Sequence, residues 1–261
     1  GSTYRLELAA TQFFRLVIAL VISNLIVSGL VVYHQTKQNY DKAQFTSLFQ
    51  GATRYNNYIF FALSSALFGE NGLSVVASIS PYMIVLTNVT AIMCFVYYLP
   101  LENGGASKRQ SMVLMMKSII TNPFVIASLV GFAFNYFKID LNMGIEKTID
   151  SIANSALTIG ILIVGASLKF KINPDHMKII ISASFIKLII TPVITFIILW
   201  IMSISGIAKS VGILFSCLPC ASSAYILSRQ LGGDPETMSS IITSTTVFSI
   251  LSLSILVYIL A

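Results

Sequence analysis

The sequence has 261 residues, 56% of them hydrophobic and only 10% charged, with a formal net charge of +6 and a mean hydropathy of +0.84. A soluble domain carries roughly 25% charged residues, so this chain lacks the polar surface to cover one water-soluble core, and a soluble fold is excluded. The basic residues lie in short loops between apolar runs, which marks membrane topology rather than nucleic-acid binding.

Taken in chain order, the apolar runs predict about eight membrane spans, each near the roughly 18–20 residues that cross a bilayer. The first covers 11–33 and has no basic lead-in or small-residue cleavage site, so it reads as a span and not a signal peptide. Ahead of it, Gly1-Ser2 resembles a cloning scar and no initiator Met is present, which predicts that the chain begins inside a longer protein. Spans two and three, 47–68 and 73–99, flank a turn at Gly69-Glu70-Asn71-Gly72. After Glu102-Asn103-Gly104-Gly105 come spans 111–137 and 150–169, then a turn at Asn173-Pro174-Asp175. Spans 177–203, 208–230 and 235–260 complete the chain, the last two joined at Gly232-Gly233-Asp234-Pro235. Pro81 and Pro123 read as kinks only.

Alternate loops sort by charge. Lys37, Lys42, Lys108, Arg109, Lys169, Lys171, Lys178 and Arg229 fall on one side, and Arg5, Lys138, Lys147 and Lys209 on the other with Glu7, Glu70, Asp140 and Glu146. The positive-inside rule puts the first set in the cytoplasm and both ends of the chain outside.

An offset of roughly 163 residues aligns Leu67–Gly72 with Gln230–Pro235 and places Asn56-Asn57 on Pro219-Cys220. An apolar span, a broken span, a Gly turn and a final span recur in that order. By the charge sorting the copies enter the membrane from opposite sides, the design of inverted-repeat secondary transporters. The expected organisation is residues 1–100 as three helices of a first repeat, 101–110 as a cytoplasmic linker, and 111–261 as a five-helix second repeat. Two spans would precede residue 1, for about ten in the complete protein.

All ten acidic residues lie in loops or at span ends, whereas a cation or proton antiporter needs an embedded carboxylate. Embedded cations are present instead. Lys187 sits roughly 15 Å into its span at 1.5 Å per residue, where an ammonium is costly unless it faces a polar cavity or an anion. Arg54 lies beside the break in the second span, with snorkelling to the headgroups as an equal alternative. Pro219 frees the carbonyl of Phe215, and Pro192 that of Leu188. Asn56, Asn57, Ser222 and Ser223 bring amides and hydroxyls to the two matching breaks, where half-helix N-termini favour anions. Prolines and serines of this kind also serve as plain kinks and packing contacts.

Other motifs carry less. Cys217-Leu218-Pro219-Cys220 spells a redox motif outside any redox fold and reads as packing. With Cys94 these cysteines give no disulfide scaffold. Asn88-Val89-Thr90 is a glycosylation sequon inside an apolar span. His34 and His176 read as loop residues without a partner cluster, so no metal or other cofactor is expected. No nucleophile, base and charge stabiliser converge, which argues against an enzyme.

Several stretches resemble the auxin efflux carrier family over nearly the whole chain. They are Phe49-Gln50-Gly51 with Asn56-Asn57 and Ala66–Leu73, then Thr121-Asn122-Pro123-Phe124, Val164–Leu168, Lys187–Pro192, and Leu218-Pro219 with Ala224-Tyr225 and Arg229–Asp234. The family includes plant auxin exporters and bacterial malonate or malate permeases. The resemblance implies an all-α, ten-span fold of two inverted repeats, with two broken helices crossing at the substrate site. It also implies elevator-like alternating access between a scaffold and a transport domain, and it admits a homodimer. Asn56-Asn57 stands where plant members commonly carry a proline.

The expected function is a permease that moves a small organic anion, a dicarboxylate or an auxin-like weak acid, across a bacterial inner membrane. Arg54, Asn56, Asn57, Lys187, Pro219, Ser222 and Ser223 would line its site. A sodium- or proton-coupled symporter of the bile-acid type and a non-transporting sensor are the alternatives.

Overall fold

The apolar runs fold as helices because the interior of a bilayer offers no partner to a free backbone N–H or C=O. The computed structural model describes residues 2–99, 108–137, 139, 142–166, 168 and 173–260, and among these residues there is no strand. Most of the predicted 101–110 linker lies outside them, as do Lys138, Asp140, Lys169 and Lys171.

Helix α1 spans Ser2–Gln38. After a short turn, α2 runs Lys42–Thr53. It starts where the Asp41 carboxylate accepts the N–H groups of Ala43 and Gln44 at 2.9 and 3.2 Å, which supplies two of the four donors a helix start leaves open. The chain is extended from Arg54 to Asn56 and then re-enters a helix, α3, Asn57–Tyr98.

Within α3, Gly69 has φ 57° and ψ −149°, outside helical space. Arg54 donates to Asn88 Oδ1 at 3.1 Å, yet an unbroken helix would carry residue 88 about 45 Å from residue 57 at 1.5 Å per residue. The chain therefore doubles back at Gly69, and α3 is a helical hairpin with arms 57–68 and 70–98. This is the predicted turn between the second and third spans. Pro81 leaves the second arm intact.

Helices α4 (Lys108–Ile120), α5 (Pro123–Tyr136) and α6 (Met143–Ala166) follow. The predicted span 111–137 is thus interrupted at Thr121-Asn122, because the residue before a proline is pushed out of helical space. These three helices pack mainly on α3. Gly160 of α6 lies so close to Tyr58 that an added Cβ would meet its ring at 2.7 Å.

A 3₁₀ turn at Pro174–His176 leads into α7 (Met177–Phe185), a π-turn (Ile186–Ile190) and α8 (Thr191–Ile201), one continuous apolar rod. Then come α9 (Gly206–Cys217), α10 (Ala224–Gln230) and α11 (Pro235–Leu260). Among the described residues five helical stretches are long and apolar enough to cross a membrane, against about eight predicted spans. The difference arises because the Lys42–Tyr98 stretch holds the hairpin and two other predicted spans are interrupted.

The core forms around α2. Every residue from Phe45 to Thr53 is buried, with α1, α3, α7, α10 and α11 packed about it. Gly51 permits the α11 contact, since a Cβ there would fall 2.5 Å from Ile241 Cγ2. Beyond the break, Tyr55, Phe60 and Phe215 stack as an aromatic cluster with centroids 4.4–6.0 Å apart.

The hairpin depends on Gly69. A Cβ there would meet nothing within 4 Å, so the penalty for a side chain is backbone torsion alone. Gly69→Ala is expected to cost about 1–3 kcal/mol, seen as a lower melting temperature with unchanged helical content by circular dichroism.

Candidate functional site

Two interruptions in the helical core meet face to face. The first is the extended run Arg54 (φ −85°, ψ 157°) to Asn56 (φ −86°, ψ 106°) between α2 and α3. The second begins at Leu218 (φ −66°, ψ 145°) after α9, extended because it precedes Pro219, and ends where α10 starts at Ala224. They are joined by a backbone hydrogen bond from Asn56 N–H to the Pro219 carbonyl, 3.0 Å. Asn56 Nδ2 donates to Ser222 Oγ at 3.4 Å, and the Cys220 thiol lies 3.6 Å from the Gln50 carbonyl. Asn56 and Pro219 are the residues that the 163-residue offset pairs.

Arg54 is held inside this crossing. It is 7% exposed, and its guanidinium donates to Gln50 Oε1 at 2.9 Å and to Asn88 Oδ1 and Ser223 Oγ, both at 3.1 Å. Snorkelling to the headgroups, the alternative drawn from the sequence, does not occur. The three acceptors sit on three separate segments and suit the rigid fork of a guanidinium.

Lys187 lies on the π-turn and is 1% exposed. Pro192 has no N–H to close a helical bond to Leu188. The strain is taken up one turn earlier, where Thr191 donates both its N–H and its hydroxyl to the Ile186 carbonyl. The π-turn packs against α2, α9 and α11. The Cys217 and Cys220 thiols lie within electrostatic range of the Lys187 ammonium, and Cys220 is within range of Arg54 as well. Among the described residues the ammonium makes no hydrogen bond, and the one ion pair is His176 with Asp234. Two cations therefore sit at one crossing with no carboxylate among the described residues to balance them. Each buried charge costs several kcal/mol when left unpaired.

The remaining predicted residues fall at the same place. Asn56 Oδ1 accepts the Ile59 N–H at 3.2 Å and caps α3. Asn57 Oδ1 is buried without a partner. Pro219 does not leave the Phe215 carbonyl open, since the Leu218 N–H reaches it at 3.4 Å.

Sequence reasoning passed over several contributors. Gln50 and Asn88 position Arg54, although the sequence presents Asn88 only as part of a sequon inside an apolar span. Asn24 Nδ2 donates to the Thr53 carbonyl at 2.9 Å, satisfying the last turn of α2. An amide in the middle of an apolar run is the signal that would have found Asn24 and Asn88. Thr245 Oγ1 accepts the Cys220 N–H at 3.3 Å. His176 is likewise not without partners: Nδ1 lies 2.8 Å from Thr237 Oγ1 and 4.0 Å from Asp234 Oδ2, which ties the start of α7 to that of α11.

A family model described as "Membrane transport protein" matches residues 2–257. The chain is similar to a Rhizobium meliloti protein named "Putative malonate transporter", 24% identical over 166 residues, which cover 60% of this chain and 50% of that relative. The match thus spans half the length of that relative. It is also similar to an "Uncharacterized transporter" of Methanothermobacter thermautotrophicus, 23% identical over 256 residues, or 97% of this chain and 80% of the relative.

Because the fork of Arg54 serves three acceptors, Arg54→Lys leaves at least one buried oxygen without a donor. The expected loss is about 1–3 kcal/mol, measured as a drop in unfolding free energy relative to the parent.

Proposed function

This chain belongs to the membrane transport protein family, and from that premise we propose that it moves a small organic anion across its membrane. The auxin efflux carriers that its motifs resemble are this family. It is an integral, multi-pass membrane transporter. The observation that carries the finer reading is the pair of buried cations, Arg54 and Lys187, set at one helix crossing with no carboxylate among the described residues to balance them. An anion there supplies the missing charge in a medium where electrostatic interactions are strong.

The two cations have different tasks. Arg54 is committed to Gln50, Asn88 and Ser223, so it sets the shape and potential of the crossing. Lys187 has free donors and meets the anion directly. Asn56, Ser222 and Ser223 supply further hydrogen-bond donors from the broken segments, while Asn57 Oδ1 is open to a hydroxyl or an ordered water. A short dicarboxylate such as malonate fits this donor set. The name of the Rhizobium relative agrees with that choice.

Transport would follow the elevator scheme of the family, with the crossing carried past a scaffold that includes α4–α6. The inverted-repeat organisation, 1–100 and 111–261 about the 101–110 linker, is part of this proposal. It is supported by the hydrogen bond between Asn56 and Pro219, since equivalent residues of two repeats meet where a pseudo-two-fold axis passes between them. The charge sorting of the loops supports a cytoplasmic position for Lys37, Lys42, Lys178 and Arg229, as in a bacterial inner membrane.

The test is uptake of labelled malonate into proteoliposomes. Lys187→Met is expected to lower uptake about 30-fold or more, the smaller end of what losing one buried charge partner costs. Uptake at the parental rate would remove Lys187 from the mechanism. The same variant is expected to be more stable than the parent without anion, by up to about 4 kcal/mol, because an unpaired buried charge is replaced by a side chain of similar volume. Thermal unfolding in anion-free buffer reads that difference.

A further inference from the structure

A second site lies away from the crossing. The last turns of α1, from Ser28 to Thr36, and the last turns of α3, from Thr90 to Tyr98, run side by side over Phe49 of α2 and leave a groove of about 500 Å³ between them. That volume is in the range of roughly 300–1,000 Å³ typical of small-ligand sites. Each wall covers about 12 Å at 1.5 Å per residue, a little under half of the ~30 Å hydrocarbon core. The groove is therefore one leaflet deep.

Its walls suit a hydrocarbon chain. Gly29 opens the α1 side, and a Cβ built there meets nothing within 4 Å. Val32, Met93 and Tyr97 line it and are also exposed, Tyr97 by 78%. Apolar side chains open sideways at this depth face acyl chains, not water. Both walls end at a membrane face, α1 at Gln38 and α3 at Tyr98. The exposed rings of Tyr33 and Tyr97 stand where aromatic residues gather at the interface.

The mouth of the groove is basic. Lys37 follows the lining residue Thr36 and holds its ammonium 5.5 Å from the centre of the Tyr33 ring. Lys42 opens α2 nearby. The neighbouring acid, Asp41, is engaged with the N–H groups that start α2.

We propose that this groove binds one acyl chain of an anionic phospholipid whose phosphate lies against Lys37. A zwitterionic lipid would fill the same walls but gain nothing from the lysines, since an anionic headgroup is favoured by each basic residue at the surface. The floor also communicates with the crossing. Ser28 Oγ donates to the Asn24 carbonyl at 2.7 Å, and Asn24 in turn holds the end of α2 at Thr53.

Fluorescence quenching by lipids brominated on the acyl chain tests this directly, because the chain holds one tryptophan, Trp200. In a Trp200→Phe background, Met93→Trp reports on the groove, and Ile163→Trp on exposed α6 reports on bulk lipid. In phosphatidylcholine bilayers, brominated phosphatidylglycerol should quench Met93→Trp well ahead of its mole fraction and Ile163→Trp in proportion to it. Lys37→Gln should reduce that preference about fivefold, and Gly29→Leu should abolish it by filling the groove. Equal quenching by brominated phosphatidylglycerol and phosphatidylcholine would overturn the proposal. So would no quenching by either, which would mean that protein fills the groove. Native mass spectrometry of the unsubstituted chain gives an independent reading: preferential retention of one phosphatidylglycerol supports the site, and equal retention of phosphatidylcholine contradicts it.

Discussion

A helix broken inside a membrane must find partners for the backbone groups that the break releases, because the surrounding hydrocarbon supplies none. Here two breaks satisfy each other. Asn56 N–H bonds to the Pro219 carbonyl, the Cys220 thiol approaches the Gln50 carbonyl, and Asn24 and Thr245 close the carbonyl of Thr53 and the N–H of Cys220. Neither break could persist alone without several unpaired polar groups at kcal/mol cost each. This mutual dependence explains why α2 is buried along nearly its whole length and why α1, α3, α7 and α11 close around it.

The same crossing provides a polar environment in which charge can be kept. Arg54 is stabilised by three neutral acceptors and Lys187 by none among the described residues. A protein selected for stability alone would replace such a lysine by an apolar residue of like volume. Its retention is understandable if the missing partner arrives as substrate. Stability given up in the empty protein then reappears as selectivity for an anion, and a neutral analogue would gain no such compensation.

How much of this was legible in the sequence differs from residue to residue. Membrane insertion followed from composition, since no arrangement of so few polar side chains could face water. The turn at Gly69 and the break at Pro219 were readable because Gly and Pro act on their own backbone. The separation of α4 from α5 was legible only in part: Pro123 reads as a kink, but an apolar average over 111–137 hides that the helix is interrupted for two residues before it. The partners of Arg54 were not readable at all. Asn88 lies 34 positions away and Ser223 lies 169 away, and nothing local to either residue announces the meeting. The π-turn at Ile186–Ile190 was equally hidden. Pro192 signals that a hydrogen bond is lost, but whether the helix bends or widens is decided by the packing of α2, α9 and α11 around it. The contacts of His176 are hidden for a related reason: Thr237 and Asp234 come from the far end of the chain.

The account stands on where an anion binds. Bromomalonate carries an anomalous scatterer on the dicarboxylate that the crossing is proposed to hold, so a crystal grown with it locates the ligand without reference to activity. The account predicts an anomalous peak between the two broken segments, beside Lys187 and within reach of Ser222 and Asn56. A peak elsewhere in the membrane region, with the crossing empty at saturating ligand, would contradict it.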